Sequence, residues 1–132
     1  MTRTNRVLAA ALAVAAIAAA VTLVLSDDGS PVEQALELVN DDSRFGTATE
    51  SGVTFGRVSR VLKDAGDGCG DEDAPRCAMY FSAAAWAQIA AVQVLGCTRP
   101  GIALARRALR AHLQDMADGD PPDRLPTVPH CE

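Results

Sequence analysis

Residues 77–96 read CAMYFSAAAWAQIAAVQVLG and contain no charged side chain. Their apolar side chains recur at helical spacing along two neighbouring lines: Phe81, Ala85, Ile89 and Val92, and Trp86, Ala90 and Val94. A helix that is apolar around most of its circumference is normally buried by the rest of its domain. The stretch therefore predicts a central, mostly buried helix against which the other helices pack.

The sequence that follows predicts a second helix and then an extended tail. Arg99 and Pro100 break the chain after Cys97, and residues 102–117 again carry apolar side chains three and four apart. Those apolar residues are Ile102, Ala105, Leu109, Leu113 and Met116. Two consecutive helices with a short joint form an antiparallel hairpin, which we expect here. Prolines are frequent after Gly119, so the tail should be extended and non-helical.

Two further helices are predicted before the central one. Residues 30–33, SPVE, have the order of a capping box with proline at the first helical position, so a short helix should begin here and fade across residues 40–43. Residues 53–65 have the apolar spacing of an amphipathic helix. Residues 44–52 and 67–76 are rich in Gly and polar side chains and should be connections. The fold class expected is mainly α.

Residues 7–25 form an uncharged apolar segment preceded by Arg3 and Arg6. As a helix it would be about 28 Å long, close to the thickness of the bilayer hydrocarbon. Basic residues before such a segment favour a cytoplasmic N-terminus. We therefore predict a cytoplasmic segment at residues 1–6, a transmembrane signal anchor at 7–25 and an extracytoplasmic helical domain at 26–132.

A cleaved signal peptide is the alternative interpretation of the same segment. Ala18, Ala19 and Ala20 offer a small-residue cleavage site after an apolar stretch. Cleavage there would leave the very apolar residues 21–25 as a new N-terminus, which makes the uncleaved anchor the preferred prediction. Both interpretations place the following domain outside the cytoplasm, the second as a secreted protein.

Composition limits the class of protein. Eleven Arg against one Lys, together with many alanines, indicate a GC-rich and hence bacterial genome. After residue 26 the chain has ten basic and seventeen acidic side chains, a net charge of −7. Nonspecific nucleic-acid binding needs a basic surface, so we expect no nucleic-acid partner. About one hundred residues outside the apolar segment are enough for one domain.

Four cysteines, Cys69, Cys77, Cys97 and Cys131, are predicted to staple this domain. Cys77 and Cys97 flank a helix about 30 Å long and cannot pair, because bridged Cα atoms lie within about 7 Å of each other. We prefer Cys69 with Cys77 and Cys97 with Cys131, since the proline-rich tail is long enough to return to the joint after the central helix. Cys69 with Cys97 and Cys77 with Cys131 remains the alternative.

Metal and cofactor motifs are weak in this sequence. A zinc site built from the cysteines with His112 and His130 would lack the close CxxC pairs typical of structural zinc. The acidic residues of the stretch 67–73 lack the spacing of a calcium-binding EF-hand loop. We predict no metal site and no cofactor.

Basic side chains are concentrated at the start of the last predicted helix: Arg99, Arg106, Arg107 and Arg110. They suit an acidic partner protein or acidic lipid headgroups. No catalytic constellation accompanies them, so we expect no enzyme. The sequence favours a noncatalytic, membrane-anchored interaction module that presents its helical hairpin to another envelope protein. The alternative is an exported binder of a small apolar ligand or metal ion, held between the alanine-lined helices.

Overall fold

The computed structural model describes residues 30–70, 74–120 and 124–131. These residues form four α-helices, and two single turns of 3-10 helix lie between them. The helices are α1 (Pro31–Asn40), α2 (Ala48–Asp67), α3 (Ala74–Gln93) and α4 (Arg99–Ala117), and the 3-10 turns are Asp42–Arg44 and Val94–Gly96. The mainly α class is confirmed for this part of the chain. The predicted anchor at residues 7–25 lies outside it.

Helix α2 begins five residues before its predicted start, at Ala48. Thr47 caps it: its Oγ1 accepts a hydrogen bond from the Glu50 amide at 3.0 Å and donates to the Glu50 carboxylate at 3.2 Å. Ser51 and Thr54 bond their hydroxyls to carbonyl oxygens four residues earlier, at 2.7 and 2.9 Å. The polar residues that suggested a connection therefore satisfy their own hydrogen bonds within the helix.

The core lies where all four helices meet. Its largest fully buried side chains are Phe55, Leu62, Leu109, Leu113, Val39, Val58 and Val94. Phe55 is at its centre and makes edge-to-face contacts with Phe45 and Trp86, with ring centroids 5.7 and 6.4 Å apart. Such contacts add about 0.5–1.5 kcal/mol each to the effect of burial. One aromatic residue thus links α2, α3 and the joint before α2.

A seam of small residues joins α2 to α3. Gly52, Ser59 and Gly66 recur every seven residues on one line of α2. A Cβ on Gly52 would lie 2.9 Å from the carbonyl oxygen of Ala91, and one on Gly66 would lie 2.9 Å from the Phe81 ring. Between them, the buried Ser59 hydroxyl donates to the carbonyl of Ala84 at 2.7 Å. The reversed order of these contacts along the two helices shows that α2 and α3 are antiparallel.

The prediction that α3 and α4 pack against each other as an antiparallel hairpin is wrong. The main partner of α3 is α2, whereas α4 packs chiefly on α1 and touches α3 only slightly. The reason is the glycine and serine seam on α2, which lets the two backbones approach more closely than helices with larger facing side chains can. The hairpin at the centre of this domain is therefore α2 with α3.

The prediction that α3 is mostly buried is also wrong for one of its two apolar lines. Trp86, Ala90 and Val94 lie in the core as expected. On the other line, Ile89 is 52% exposed and Val92 is 63% exposed, because no described helix covers that side of α3. The side of α3 that carries Ile89 and Val92 therefore faces solvent.

One stretch of the described chain, Ala74–Gly96, is long and apolar enough to cross a membrane by length and composition. About two fifths of it, 39%, is buried by the rest of the domain. Tyr80, Trp86 and Ala90 on this stretch belong to the shared core. Its apolar character is thus partly accounted for by packing within the domain.

The seam can be tested with two glycines on the same helix. We expect Gly52→Ala to lower the free energy of unfolding by about 1–3 kcal/mol, because the added methyl meets the fixed backbone of Ala91. Gly56→Ala should instead raise it by about 0.5–1 kcal/mol, because its Cβ would have no neighbour within 4 Å. Thermal and urea unfolding of the full chain in detergent, followed by circular dichroism, measure both. Equal shifts in the two variants would contradict the seam.

Candidate functional site

Three of the four predicted arginines share the outward face of α4. Arg99, Arg107 and Arg110 are all exposed and lie within an arc of about 80° at 3.6 residues per turn. None of the three forms an ion pair with any residue in the described ranges. We call these three residues the arginine face of α4. It is an exposed basic surface on a domain whose net charge is negative.

Arg106, the fourth predicted arginine, is turned inward and is not part of that face. Its Nε donates to the carbonyl oxygen of Val39 at 2.7 Å, and a second nitrogen of its guanidinium lies 2.7 Å from the Asp42 carboxylate. The guanidinium also stacks over the Phe45 ring, 4.4 Å from its centroid. Only 15% of the side chain is exposed. Arg106 therefore fastens α4 to the end of α1.

The contacts of Arg106 differ in strength. The carboxylate of Asp42 is almost wholly exposed, so this ion pair contributes at most about 1 kcal/mol. The bond from a charged donor to the Val39 carbonyl contributes about 1.5–3 kcal/mol, and the ring contact adds about 1 kcal/mol. The backbone bond and the stacking on Phe45 are thus the main reasons for its position.

Replacing Arg106 should therefore destabilise the domain, whereas replacing its neighbour should not. We expect Arg106→Ala to lower the free energy of unfolding by about 2–4 kcal/mol, from the lost backbone bond and ring contact. Arg107→Ala is the matched control and should change it by less than about 0.5 kcal/mol. Chemical unfolding of both variants measures the difference. Similar losses in the two would show that Arg106 has no special structural role.

The joint that Arg106 contacts is ordered by Asp41. Its carboxylate accepts hydrogen bonds from the Ser43 hydroxyl at 2.6 Å and the Ser43 amide at 3.1 Å, and from Arg44 Nε at 3.1 Å. The Ser43 hydroxyl in particular holds the pKa of Asp41 below its ordinary value. The stabilisation from this carboxylate is present above its ordinary pKa and is lost as the pH falls through the lowered one. Because Asp41 is open to solvent, we expect that acid effect to be small.

A disulfide joins Cys97 to Cys131, with their Cα atoms 4.8 Å apart. This pair is the predicted one, and the bridge excludes the alternative pairings of these two cysteines. The tail runs back along α3, where the Trp86 indole donates to the Pro126 carbonyl at 2.6 Å and His130 Nδ1 lies 2.8 Å from the Gln93 side-chain oxygen. The tail from residue 124 to residue 131 is thus part of the folded domain.

Two glycines leave room for the end of the tail. A Cβ on Gly96 would lie 2.8 Å from the carbonyl oxygen of Cys131, and one on Gly101 would lie 2.7 Å from its Sγ. Side chains at these positions would displace the bridge. The joint between α3 and α4 is therefore shaped to receive Cys131.

The second predicted bridge, Cys69 with Cys77, is not formed in the structure. Both residues are partly buried near the joint between α2 and α3. The Cys77 thiol instead donates a long hydrogen bond to the Gly70 carbonyl, at 3.7 Å. The covalent staple of the described domain is the bridge at Cys97.

The surface that sequence reasoning missed is the outward face of α3. We give this name to the exposed apolar side chains Phe81, Ile89, Val92 and Leu95, with Ala85 among them. Its signal was the line of apolar residues four, four and three apart, but that line was assigned to the core. A groove beside it is lined by Val53, Arg60 and Lys63 of α2 together with Gln88 of α3. The apolar face thus has a basic edge.

The alanines of α3 that were predicted to line a space for an apolar ligand lie in the core. Ala83, Ala87 and Ala90 are fully buried in close contact with neighbouring helices. Within the described ranges, no group of three His, Cys, Asp or Glu side chains is placed to hold a metal ion. The exposed surfaces of α3 and α4 are therefore the main candidate functional features.

Comparisons with family models, with curated proteins and with solved structures find no match to this chain.

Proposed function

We propose that the chain is a noncatalytic, membrane-anchored interaction module that binds an acidic surface of an envelope protein through the arginine face of α4. The observation that supports this most directly is the exposure of Arg99, Arg107 and Arg110 without internal ion pairs. Guanidinium groups form paired hydrogen bonds with carboxylates, which makes arginine well suited to recognising acidic side chains.

The way α4 is held also supports a binding role. Arg106, on the same helix, bonds to α1, and the buried Ile102, Leu109 and Leu113 hold the opposite face of α4 in the core. A rigid helix loses little conformational entropy when its exposed side chains bind a partner. The arginine face is thus preorganised rather than carried on a loop.

The anchor and the compartment belong to the same proposal. Residues 7–25 tether the chain in a bacterial membrane, with residues 1–6 in the cytoplasm and the helical domain outside it. A structural disulfide such as that between Cys97 and Cys131 is characteristic of oxidising compartments. A reporter fused after residue 132 tests this topology, and a cytoplasmic signal would contradict it.

A photo-crosslinker at Ala103, which lies between the arginines on the exposed side of α4, tests the binding role in intact membranes. We expect a discrete protein adduct that is reduced about tenfold by Arg107→Glu with Arg110→Glu, because charge reversal repels an acidic partner. Arg124→Glu, an exposed charge reversal in the tail, is the matched control and should keep the adduct. Equal adducts in the two variants would refute the arginine face as the binding surface.

A further inference from the structure

We propose that the outward face of α3, with the basic edge formed by Arg60 and Lys63, lies on the surface of an anionic lipid bilayer. This inference rests on the proposed membrane tether and adds a second, peripheral contact to it. It concerns a different helix from the arginine face of α4.

The outward face has the chemistry of a membrane-surface element. Between Arg76 and Arg99 the chain carries no charge, so the outward face of α3 includes no charged side chain that would oppose contact with lipid. Phe81, Ile89, Val92 and Leu95 are each between 41% and 63% exposed. Exposed apolar side chains that are grouped on one side of a helix, rather than scattered singly, mark a contact with protein or membrane.

The basic edge gives this face its preference for an anionic surface. Arg60 and Lys63 line the same groove as Val53 of α2 and Gln88 of α3, and both are exposed. Phe81 of α3 lies against Gly66 of α2, the helix that carries Arg60 and Lys63, so the apolar face adjoins the helix with the basic edge. Apolar side chains flanked by Lys or Arg are typical of protein segments that lie in the bilayer interface.

Charge distribution also sets the orientation. The exported chain has a net charge of −7, so an anionic bilayer repels most of its surface. The groove contains one acidic residue, Asp64, beside the basic residues Arg57, Arg60 and Lys63. This edge is therefore locally positive, as is the arginine face of α4, but this edge also adjoins the exposed apolar side chains of the outward face of α3.

The length of the tether limits how far the helical domain can lie from the bilayer. Five peptide steps separate Leu25 from Ser30, the first described residue, and they span at most about 17 Å. A domain of about one hundred residues has a radius of gyration of about 13 Å. The domain is therefore held within about its own diameter of the lipid headgroups.

A second copy of this chain is a less suitable occupant. When two outward faces pair with their α3 helices antiparallel, the basic edge of one copy lies opposite the basic edge of the other. Like charges placed opposite one another across an interface oppose association. Lipid headgroups of negative charge complement the same edge, which is why the bilayer is the occupant proposed.

The test places a tryptophan on the face and measures its quenching by brominated acyl chains. The full chain is reconstituted in nanodiscs containing phosphatidylglycerol and phosphatidylcholine, with Val92→Trp as the reporter and Leu104→Trp, an equally apolar exposed site on α4, as the matched control. The native Trp86 is nearly buried and gives the baseline. We expect the added fluorescence at residue 92 to fall about twofold, because interfacial residues reach about 5–10 Å into the bilayer, and that at residue 104 to stay unchanged.

The role of the basic edge has its own comparison. In the Val92→Trp background, Arg60→Glu with Lys63→Glu should reduce the quenching in anionic discs to the level in pure phosphatidylcholine discs. Arg107→Glu, a charge reversal on α4, should leave it unchanged. If the quenching were the same in anionic and in pure phosphatidylcholine discs, and were unchanged by the Arg60 and Lys63 reversals, the assignment to an anionic surface would be overturned.

The remaining outcomes separate this inference from the tether. If the chain is not retained in the discs, the proposed anchor fails and this inference fails with it. If the chain is retained but residue 92 is quenched no more than residue 104, the inference alone is overturned. A blue shift at residue 92 without quenching, seen only in discs with two copies, would assign the face to self-association and also overturn it.

Discussion

Cys97→Ser combined with Cys131→Ser is expected to lower the free energy of unfolding by about 4 kcal/mol. The two cysteines are 34 residues apart in sequence, and on the chain-entropy model a loop of that length accounts for this loss. The tail should also leave α3, because its other contacts are a few hydrogen bonds, such as that from Trp86 to Pro126, and the partly buried side chains of Leu125 and Val128. A stability loss of this size is a large part of the 5–15 kcal/mol typical of a small domain.

Chemical unfolding of the full chain in detergent measures this loss, and Trp86 fluorescence reports release of the tail. The matched control is Cys69→Ser with Cys77→Ser, which removes two cysteines that are not bridged to each other in the structure. Reductant should shift the wild-type midpoint to that of the Cys97 and Cys131 variant and leave that variant unchanged. A wild-type midpoint insensitive to reductant would contradict the assigned bridge.

Phe55→Ala should be similarly severe, with a loss of about 3–5 kcal/mol in the free energy of unfolding. The ring is completely buried and contacts both Phe45 and Trp86. Its removal leaves a cavity that Gly52 and Ser59 on the same helix cannot fill, because the seam already holds that helix against α3.

Phe81→Ala is the matched control, since it removes the same ring from the outward face of α3. We expect a loss of about 1–2 kcal/mol, because Phe81 is 41% exposed and only part of its ring packs against Gly66 of α2. The two variants are compared by their denaturant midpoints, provided that the free energy of unfolding depends on denaturant concentration with the same slope in both. If Phe81→Ala cost as much as Phe55→Ala, residue 81 would belong to the core, and the outward face would have to be redrawn.

Local signals in the sequence were sufficient to predict most of the helices. The order of capping residues at 30–33 correctly predicted where α1 begins, and the spacing of apolar residues predicted the positions of α3 and α4. The return of the proline-rich tail to Cys97 followed from its length alone. Each of these features depends on neighbouring residues or on the reach of the chain.

The features that the sequence did not predict depend on which helices pack against one another. Periodicity showed two apolar lines on α3 but carried no information on which line another helix would cover. Gly52 was assigned to the connection before α2 and Ser59 was given no role, whereas their small size is what permits the close approach of α3. Arg106 looked like Arg107 in sequence, and only the position of Val39 and Phe45 in space distinguishes them.

The seam between α2 and α3 has a consequence for handling the protein. The Ser59 bond to Ala84 and the tight fit of Gly52 against Ala91 fix the rotation of α3 about its own axis. The helix therefore cannot roll to bury Ile89 and Val92 away from water. We expect preparations stripped of detergent to become turbid at low salt, and a charged substitution at Val92 to keep them clear.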